Sequence, residues 1–578
     1  MNTLKPKIVG GSFLLEPTAS EDSFFPEDLT DEHKMIQQTA LQFINQEVRP
    51  RQKEIEEEQD FDLVVNLLKE AGKLGLLAHS VPEQYGGLGL DKISKGIVGE
   101  ALGSAGSYSV AHSNHTCIAT LPITYYGTKQ QKEKYLGKLA SGKYIGAYCL
   151  TEPDAGSDAM AAKTRADLNE AKTHYLINGS KIFITNAQFS DTFIVYAKVD
   201  GKYFTAFIVE KDFPGLSLGA EEKKMGLKGS STRSVIFEDC EVPINNVIGE
   251  VGKGHIIAFT VLNLGRFNLG SACTGAAKYA LKETVNYVLE RKQFGQALAN
   301  FGATEEKIAK MNARLYSAES IQYRTSYLLE QALAGLDQSE DIARIVAALS
   351  EYALECAICK VYGSETLDYL ADEGVQLHGG VGFIKEYPIE QVYRDSRINR
   401  IFEGTNEVNR LLLTGQFLKK SLKAELPYEK AVTNAFNQLT IDSTNTRVGL
   451  VGDLRNLYLI LVEYARRKYG QELESQQEVL MKLSDLAIHL YAAESVVLRV
   501  EKQEKKSELK EALTDAVLED AVNQAILILR QLDQALLENE RVLSKKLYQS
   551  LMRHSFTQSI ERNRQIASEI YEKKEYIS

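Results

Sequence analysis

"SGKYIGAYCL", Ser141 to Leu150, is where this chain changes texture. Before it, residues about 28–146 place apolar side chains at helical spacing. "TDEHKMIQQTALQFINQEV" opens on Thr30–Asp31, a helix start signal. After it come short runs rich in β-branched and aromatic residues: "HYLINGSKIFIT", "DTFIVYAKV", "YFTAFIVE" and "RSVIFEDCEVP". The pairs Asn178–Gly179 and Asp200–Gly201 read as turns between them. A small antiparallel β domain is therefore expected between Tyr148 and Ile248. From Gly254 helical runs return in "HIIAFTVLNLGRFNLGSACTGAAKYALKETVNYVLERK", "KIAKMNARLYSAESIQYRTSYLLEQAL" and "EDIARIVAALSEYALECAICKVYGSETLDYLA". The fold is expected to be mostly α with a middle antiparallel β domain.

The last stretch differs again. No proline follows Pro427 and no glycine follows Gly470. "EVLMKLSDLAIHLYAAESVVLRV" sets Leu483, Leu486, Leu490 and Val497 along one face. This predicts a helical appendage of about 160 residues, itself domain-sized. Its plain role is packing; the sharper alternative is docking to a partner or a membrane surface, although no long basic amphipathic face stands out. The expected segments are an N-terminal extension 1–27, a helical N-domain 28–146, a β domain 147–250, a helical C-domain 251–415 and a helical extension 416–578.

Composition narrows the function classes. Of 578 residues, 44% are hydrophobic and 25% charged, an ordinary balance for a globular protein. The net charge of −11 argues against a phosphate backbone as partner. "MNTLKPKIVGGSFLLEP" lacks an apolar core of signal-peptide length, so cytoplasmic residence is expected, with peripheral contact at the inner membrane face as a secondary possibility. No membrane-spanning run is expected. The most apolar stretch, "LRNLYLILVEYARR", is interrupted by charges, with Asp453, Arg455 and Glu463 in and beside it. Six scattered cysteines read as reduced thiols. Cys356 and Cys359 form a CxxC inside a helix-like run without a second ligand pair, so packing is the expected role. The nine histidines show no HExxH-like spacing, and no catalytic metal is expected.

Three stretches carry chemistry. In "AYCLTEPDAGSDAMAAKT", Pro153, Gly156 and short polar residues form a loop whose backbone N–H groups can hold anions or carbonyl oxygens, with hydroxyls from Thr151 and Ser157. "GSKIFITNA" puts Phe183 two residues before Thr185 at a strand end. An aromatic face beside a hydroxyl suits a flat heterocycle. In "RIFEGTNEV", Arg400 to Val408, Glu403 lies between an apolar pair and a turn. Taken singly, each is more often a turn than a site. "LHGGVGF" and "GEVGKGH" are near misses for dinucleotide and phosphate loops and carry little weight.

Taken together, "YCLTEP.AGSD", "KIFITNA", "GLKGSSTRSVIFEDCEVP", "ERKQFGQ", "QLHGGVGF.KEYPIEQVYRDSRI" and "RIFEGTNE" occur in the order and spacing of the acyl-CoA dehydrogenase family. The resemblance covers about residues 30–415. It implies a helical N-domain, a β domain and a four-helix C-domain. The leader "GGSFLLEPTASEDSFFPEDLTDEH" and the helical extension resemble the long and very-long-chain branch. The implied reaction is FAD-dependent oxidation of fatty acyl-CoA to trans-2-enoyl-CoA. Glu403 is the implied base, helped by the apolar Ile401 and Phe402, which would raise its pKa. Its backbone N–H would polarise the thioester oxygen. Gly404 would allow close backbone approach, and Thr405 or Asn406 would cap the next helix.

Other implied roles follow position by position. Tyr148, Leu150 and Thr151 would line the flavin, and Ser157 would stand near both the flavin and the thioester end of the substrate. Phe183, Ile184 and Thr185 would pack on the ring. Position 183 is Trp in many relatives, and this chain has no Trp. Arg291, Gln293, Phe294, Gln376, Gly379 and Gly380 would reach the FAD pyrophosphate and adenine across a subunit interface, which implies a homodimer. Thr405 and Glu407 complete the cofactor set. Glu305 stands where long-chain relatives carry Gln. Asn263, Arg266, Glu403 and Gly404 would meet the CoA substrate. The small residues of "GSAGSYSVAHSNHTCIATLP" would leave a long acyl cavity. Electron-transfer flavoprotein is the implied acceptor. The rival readings are an acyl-CoA oxidase using O2 and a non-catalytic assembly scaffold of the same fold.

Overall fold

The computed structural model describes residues 8–336, 339, 341–439, 445–556 and 558–578. Residues 1–7 of the expected N-terminal extension and 440–444 and 557 of the expected C-terminal one lie outside the described residues.

The N-domain holds α1 (Asp31–Phe43), α2 (Gln52–Glu56), α3 (Phe61–Lys73), α4 (Lys92–Gly103), α5 (Ser107–Ser113), α6 (Leu121–Tyr126) and α7 (Lys129–Ala140). Thr30 caps α1 as its sequence implies, accepting the His33 N–H at 3.2 Å. Before α1 the leader is a strap of short 3-10 turns. Phe13 is buried against Tyr491, and the Phe13 carbonyl accepts from Arg455 Nε at 2.9 Å.

Eight strands form one sheet: β1 (Gly146–Cys149), β2 (Arg165–Leu168), β3 (His174–Thr185), β4 (Thr192–Val199), β5 (Tyr203–Glu210), β6 (Leu216–Glu221), β7 (Thr232–Pro243) and β8 (Val247–Ile248). The order is β6-β7-β3-β2-β4-β5-β8, with β1 also on β4. The long runs read from sequence are β3, β4, β5 and β7. The sheet is mainly antiparallel, but β1 and β2 pair with β4 in parallel. Parallel pairing needs a long connection, which the chain between β1 and β4 supplies. Asp200–Gly201, both at positive φ, make the expected β4–β5 hairpin turn. Asn178–Gly179 does not turn. It stays inside β3 opposite an extra residue on β7, and Asn178 Nδ2 donates to Asp239 Oδ1 at 2.9 Å.

The C-domain follows: α8 (Gly254–Glu290), the small hairpin β9 (Lys292–Gln293) and β10 (Gln296–Ala297), α9 (Gly302–Leu333), α10 (Ile342–Glu351), α11 (Ala353–His378), α12 (Pro388–Ser396) and α13 (Asn406–Leu422). α8 is long and apolar enough to cross a bilayer, but 72% of its apolar stretch is buried inside the protein, where it packs on α4, α9 and α11. The expected boundary at 415/416 falls within α13. α13 ends at Leu422, Ala424 turns left-handed (φ 56°) and Pro427 precedes the next helix.

The extension consists of α14 (Tyr428–Gln438), α15 (Arg447–Tyr469), α16 (Gln477–Glu501), α17 (Glu508–Leu537), α18 (Arg541–Met552) and α19 (Ser559–Lys573). Leu483, Leu486, Leu490 and Val497 of α16 are all buried, and α16 packs on α9 and α13. That apolar face is therefore used in packing rather than presented for docking. The six cysteines are free and buried. Burial pushes the Cys359 thiol up to about 12 and Cys356 well above the usual thiol range, so the CxxC reads as apolar filling on α11.

Candidate active site

Glu403 sits on a left-handed hinge. Its φ is 57° and that of Gly404 is 78°, between a 3-10 turn (Arg397–Arg400) and α13. Thr405 caps α13 by accepting the Val408 N–H at 3.2 Å. The hinge carbonyls are held from three directions. Arg266 Nε, on α8, donates to Glu403 O at 3.3 Å. Lys360 Nζ, on α11, donates to Gly404 O at 2.8 Å and Asn406 Oδ1 at 2.6 Å. Asn409 Nδ2 reaches back to the carbonyls of Glu403, Gly404 and Thr405 at 3.4, 2.8 and 3.0 Å.

The Glu403 side chain lines a cavity of about 520 Å³, while its Oε2 is shielded from bulk water and has no hydrogen-bond partner in the protein. A buried carboxylate oxygen left unpaired is costly, which marks it as a group kept for a ligand. Burial raises its pKa to about 7, against the lowering influence of the Arg266 and then the Lys360 cations. Phe402 shares the cavity wall. Ile401, expected to help, is 46% exposed on the outer surface and does not line the cavity. Ile118, Cys117 and Gly265 take that place. A Cβ on Gly265 would lie 2.9 Å from Glu403 Oε2, so glycine makes room for the carboxylate.

The opposite wall comes from the sheet. Thr185, at the end of β3, lines the same cavity, and its carbonyl accepts from Asn114 Nδ2 at 3.4 Å. Just before it, three steps along β3 face two along β7, a bulge that puts Phe183 at φ 57° and leaves its ring 61% exposed. Ile184 turns into the core. Tyr148 on β1 is buried, its ring 5.3 Å from that of Tyr196. Leu150 and Thr151 follow, half-buried. A buried ion pair fixes their loop. Lys181 Nζ donates to Glu152 Oε1 at 2.6 Å and to Leu150 O at 3.2 Å, and the Glu152 carboxylate also accepts from the Lys163 and Thr164 N–H groups. Ser157 is exposed at the loop's rim.

The far end of the cavity is lined by Gly103, Ser104, Ala105, Gly106, Ser109 and Ser113, the small residues expected to bound an acyl chain.

Two expected groups lie elsewhere. Arg266 and Asn263 are buried behind the base and do not line the cavity. Arg266 Nη1 donates to Asn263 Oδ1 at 2.9 Å, and Asn263 Nδ2 to Leu349 O at 3.1 Å. Arg291, Gln293, Phe294, Gln376, Gly379 and Gly380 are exposed on the outside of the C-domain. Phe294 rides the β9–β10 turn with 94% of its surface open. Glu407 is exposed in the first turn of α13, where backbone N–H and the Thr405 hydroxyl hold its carboxyl below the usual range. Glu305 has Arg564 of α19 beside it at 3.8 Å.

Lys360, Asn409, Gly265, Asn114 and the Lys181–Glu152 pair were not picked out from sequence. The one signal for Lys360 is a lone cation inside the apolar run "ECAICKVYG".

The arrangement fits a flat redox cofactor. Thr185 brings a hydroxyl to the cavity wall, with the exposed ring of Phe183 two residues before it on β3 and the Tyr148–Thr151 strand end held to β3 by Lys181 and Glu152. The unpaired Glu403 oxygen belongs to a residue that lines the same cavity.

Comparison with known proteins bears on this geometry. Family models described as "Acyl-CoA dehydrogenase, N-terminal domain", "middle domain" and "C-terminal domain" match residues 30–143, 147–240 and 252–418. A second C-terminal domain model of that family matches 453–553. A "Probable acyl-CoA dehydrogenase" of Bacillus subtilis (strain 168) is 46% identical over 583 residues, 98% of each chain. The human "Very long-chain specific acyl-CoA dehydrogenase, mitochondrial" is 35% identical over 468 residues, 75% of this chain and 68% of that protein. A crystal structure of an acyl-CoA dehydrogenase complexed with FAD from Bacillus anthracis matches with a TM-score of 0.94 and 44% identity, over 99% of this chain and 100% of that one.

Proposed function

The chain belongs to the acyl-CoA dehydrogenase family, with FAD as its cofactor, and from that premise we propose that it oxidises long-chain fatty acyl-CoA to trans-2-enoyl-CoA and passes the electrons to electron-transfer flavoprotein. The observation that carries this is the buried, unpartnered Oε2 of Glu403, facing Thr185 across one cavity. FAD, when bound, supplies the acceptor for the β-hydride. Glu403 takes the α-proton on Oε2, and its raised pKa makes it a stronger base than an exposed carboxylate. Its backbone N–H polarises the thioester carbonyl. Arg266, Lys360 and Asn409 fix the hinge so that N–H and carboxylate act on the same substrate. Thr185, Thr151, Tyr148, Leu150 and Phe183 would hold the ring, and Ser157 would stand near the thioester end.

The small residues from Gly103 to Ser113 support a long acyl chain, because they leave space along that wall, which Arg49, Gln52 and Glu56 border. The 61% exposed ring of Phe183 supports a protein acceptor that must come close from outside. Arg291, Gln293, Phe294, Gln376, Gly379 and Gly380, exposed and off the cavity, support a homodimer in which each chain completes the other's cofactor site.

Anaerobic titration with acyl-CoAs from C4 to C20 tests this reading. The flavin should bleach, fastest with long chains, and reoxidise with electron-transfer flavoprotein much faster than with O2. Glu403→Gln should keep its FAD and lose bleaching. A Glu403→Gln protein that bleaches at the wild-type rate sinks the base, and fast reoxidation by O2 makes it an oxidase.

A further inference from the structure

The helix that starts at the base, α13, is gripped by the extension along its length. Ser484 Oγ on α16 donates to Arg410 O at 2.6 Å and lies 2.5 Å from Thr414 Oγ1. A continuous polar chain then runs from α16 to the hinge. Asp485 Oδ1 accepts from Arg410 Nε at 2.6 Å. Arg410 closes a two-pronged pair on Glu365 of α11, Nη1 to Oε1 at 2.7 Å and Nη2 to Oε2 at 3.0 Å. Glu365 Oε1 also accepts from Asn406 Nδ2 at 3.0 Å. Asn406 Oδ1 accepts from Lys360 Nζ, which holds the Gly404 carbonyl. Lys360, Ser364 and Asn406 are fully enclosed. Arg314, His489 and Asp520 complete the charged surroundings of the outer end.

We infer that Asp485 of the extension is a positioning residue for the base, acting through Arg410, Glu365, Asn406 and Lys360 on the Glu403–Gly404 hinge. The physical reason is alignment. Without Asp485, the Arg410 guanidinium has one carboxylate instead of two and can swing out of its fork on Glu365. Asn406 then keeps Ser364 Oγ at 3.1 Å but loses Glu365, and the Lys360 ammonium has a less firmly set partner for its angle to Gly404 O. The left-handed hinge then keeps Arg266 and Asn409 but loses the fixed angle of its third donor, and a strained backbone with one hold loosened is free to relax. The extension would thus be part of the catalytic apparatus without touching substrate.

This rests on Glu403 being the base, and the test separates the two ideas. Holoenzyme carrying Asp485→Ala is compared with wild type, with Asp485→Glu and with Asp515→Ala, which breaks the Arg447–Asp515 pair at the other side of the extension. In Asp485→Ala, flavin reduction at saturating long-chain acyl-CoA should fall by roughly tenfold, with little change in KM and a displaced pH profile. Hydrogen exchange should speed up at the backbone of residues 403–414 more than elsewhere. Asp485→Glu should restore both, and Asp515→Ala should leave both at wild-type values. Asp485→Asn, which keeps the volume, replaces Asp485→Ala should that chain not fold. A wild-type rate in Asp485→Ala, or exchange that rises equally across the extension, overturns the inference. If wild-type flavin is not bleached by acyl-CoA at all, the proposed function fails, while the exchange arm still decides whether Asp485 fixes the hinge.

Discussion

Two costs meet at Glu403. A non-glycine residue in the left-handed region costs about 1–2 kcal/mol, and a buried carboxylate resists ionising. Both are sustained because Arg266, Lys360 and Asn409 hold the hinge carbonyls, while the carboxylate faces an open cavity. The pH dependence follows with a definite sign. The base must be deprotonated to act, and its pKa stands at about 7 in the folded protein. Flavin reduction at limiting acyl-CoA should therefore rise with pH through about 7 and then level, read by anaerobic stopped flow. A profile already flat below about pH 5, in the ordinary carboxylate range, would contradict the burial. Gly265 gives a second prediction. An alanine there would press its Cβ against Oε2, which must move aside. A displacement of this size should slow reduction by roughly ten- to a hundredfold while leaving FAD content and thermal stability near wild type. An unimpaired Gly265→Ala enzyme would mean that the carboxylate has another productive position.

At the scale of elements, α12 is the joint of the three domains. Asp395 Oδ1 accepts from Leu227 N of the β domain at 2.5 Å, while Glu56 of α2 accepts from Lys228, Gly229 and Ser107 N–H groups. The two carboxyls line the same cavity, and burial followed by the Glu56 charge raises the Asp395 pKa to about 7. The folded state thus holds a proton that the unfolded chain releases near pH 4. Folding stability contributed by this site is full below that value, declines as pH rises to about 7, and stays low beyond it. Asp395→Asn, which keeps the acceptor for Leu227, should melt higher than wild type near pH 8 and equally near pH 4, by calorimetry. A gain that persists at the acid end would place its cause elsewhere. The joint was not legible in sequence, since each of its carboxylates reads as an ordinary surface charge until three distant segments converge. β3, β4, β5 and β7 were legible because each is long and rich in β-branched and aromatic residues. β2 and β6, at four and six residues, were too short to stand out. The Phe183 bulge was hidden as well, because a register slip is decided by the partner strand.

For the whole molecule, the change of texture at Ser141–Leu150 and the loss of proline and glycine from the C-terminal stretch marked out the architecture. The leader was less readable. Its role as a strap depends on Arg499 and Arg455, which lie more than 400 residues away and meet Glu27 and the Phe13 carbonyl. The cofactor set was readable as residues but not as a place, because it divides into two groups. Thr185 lines the cavity with Glu403, and Tyr148 and Thr151 lie on and just after β1, with Thr151 O accepting from Ile182 N of β3, whereas Arg291 and Gln376 are exposed, and Phe294 and Phe383 expose 94% and 87% of their surface. Large apolar rings left open to solvent are what the proposed dimer would cover. In a twofold dimer each cofactor site would take its base from one chain and its pyrophosphate arginine from the other. This arrangement can be tested with two inactive proteins. Glu403→Gln lacks the base, and Arg291→Glu repels the pyrophosphate. When the two are unfolded, mixed equally and refolded with FAD, half of the dimers should be mixed. In each mixed dimer one site draws Glu403 from one parent and Arg291 from the other, so about a quarter of wild-type activity should return. If Arg291 instead served the site of its own chain, every site would keep one lesion and the mixture would stay as inactive as its parents.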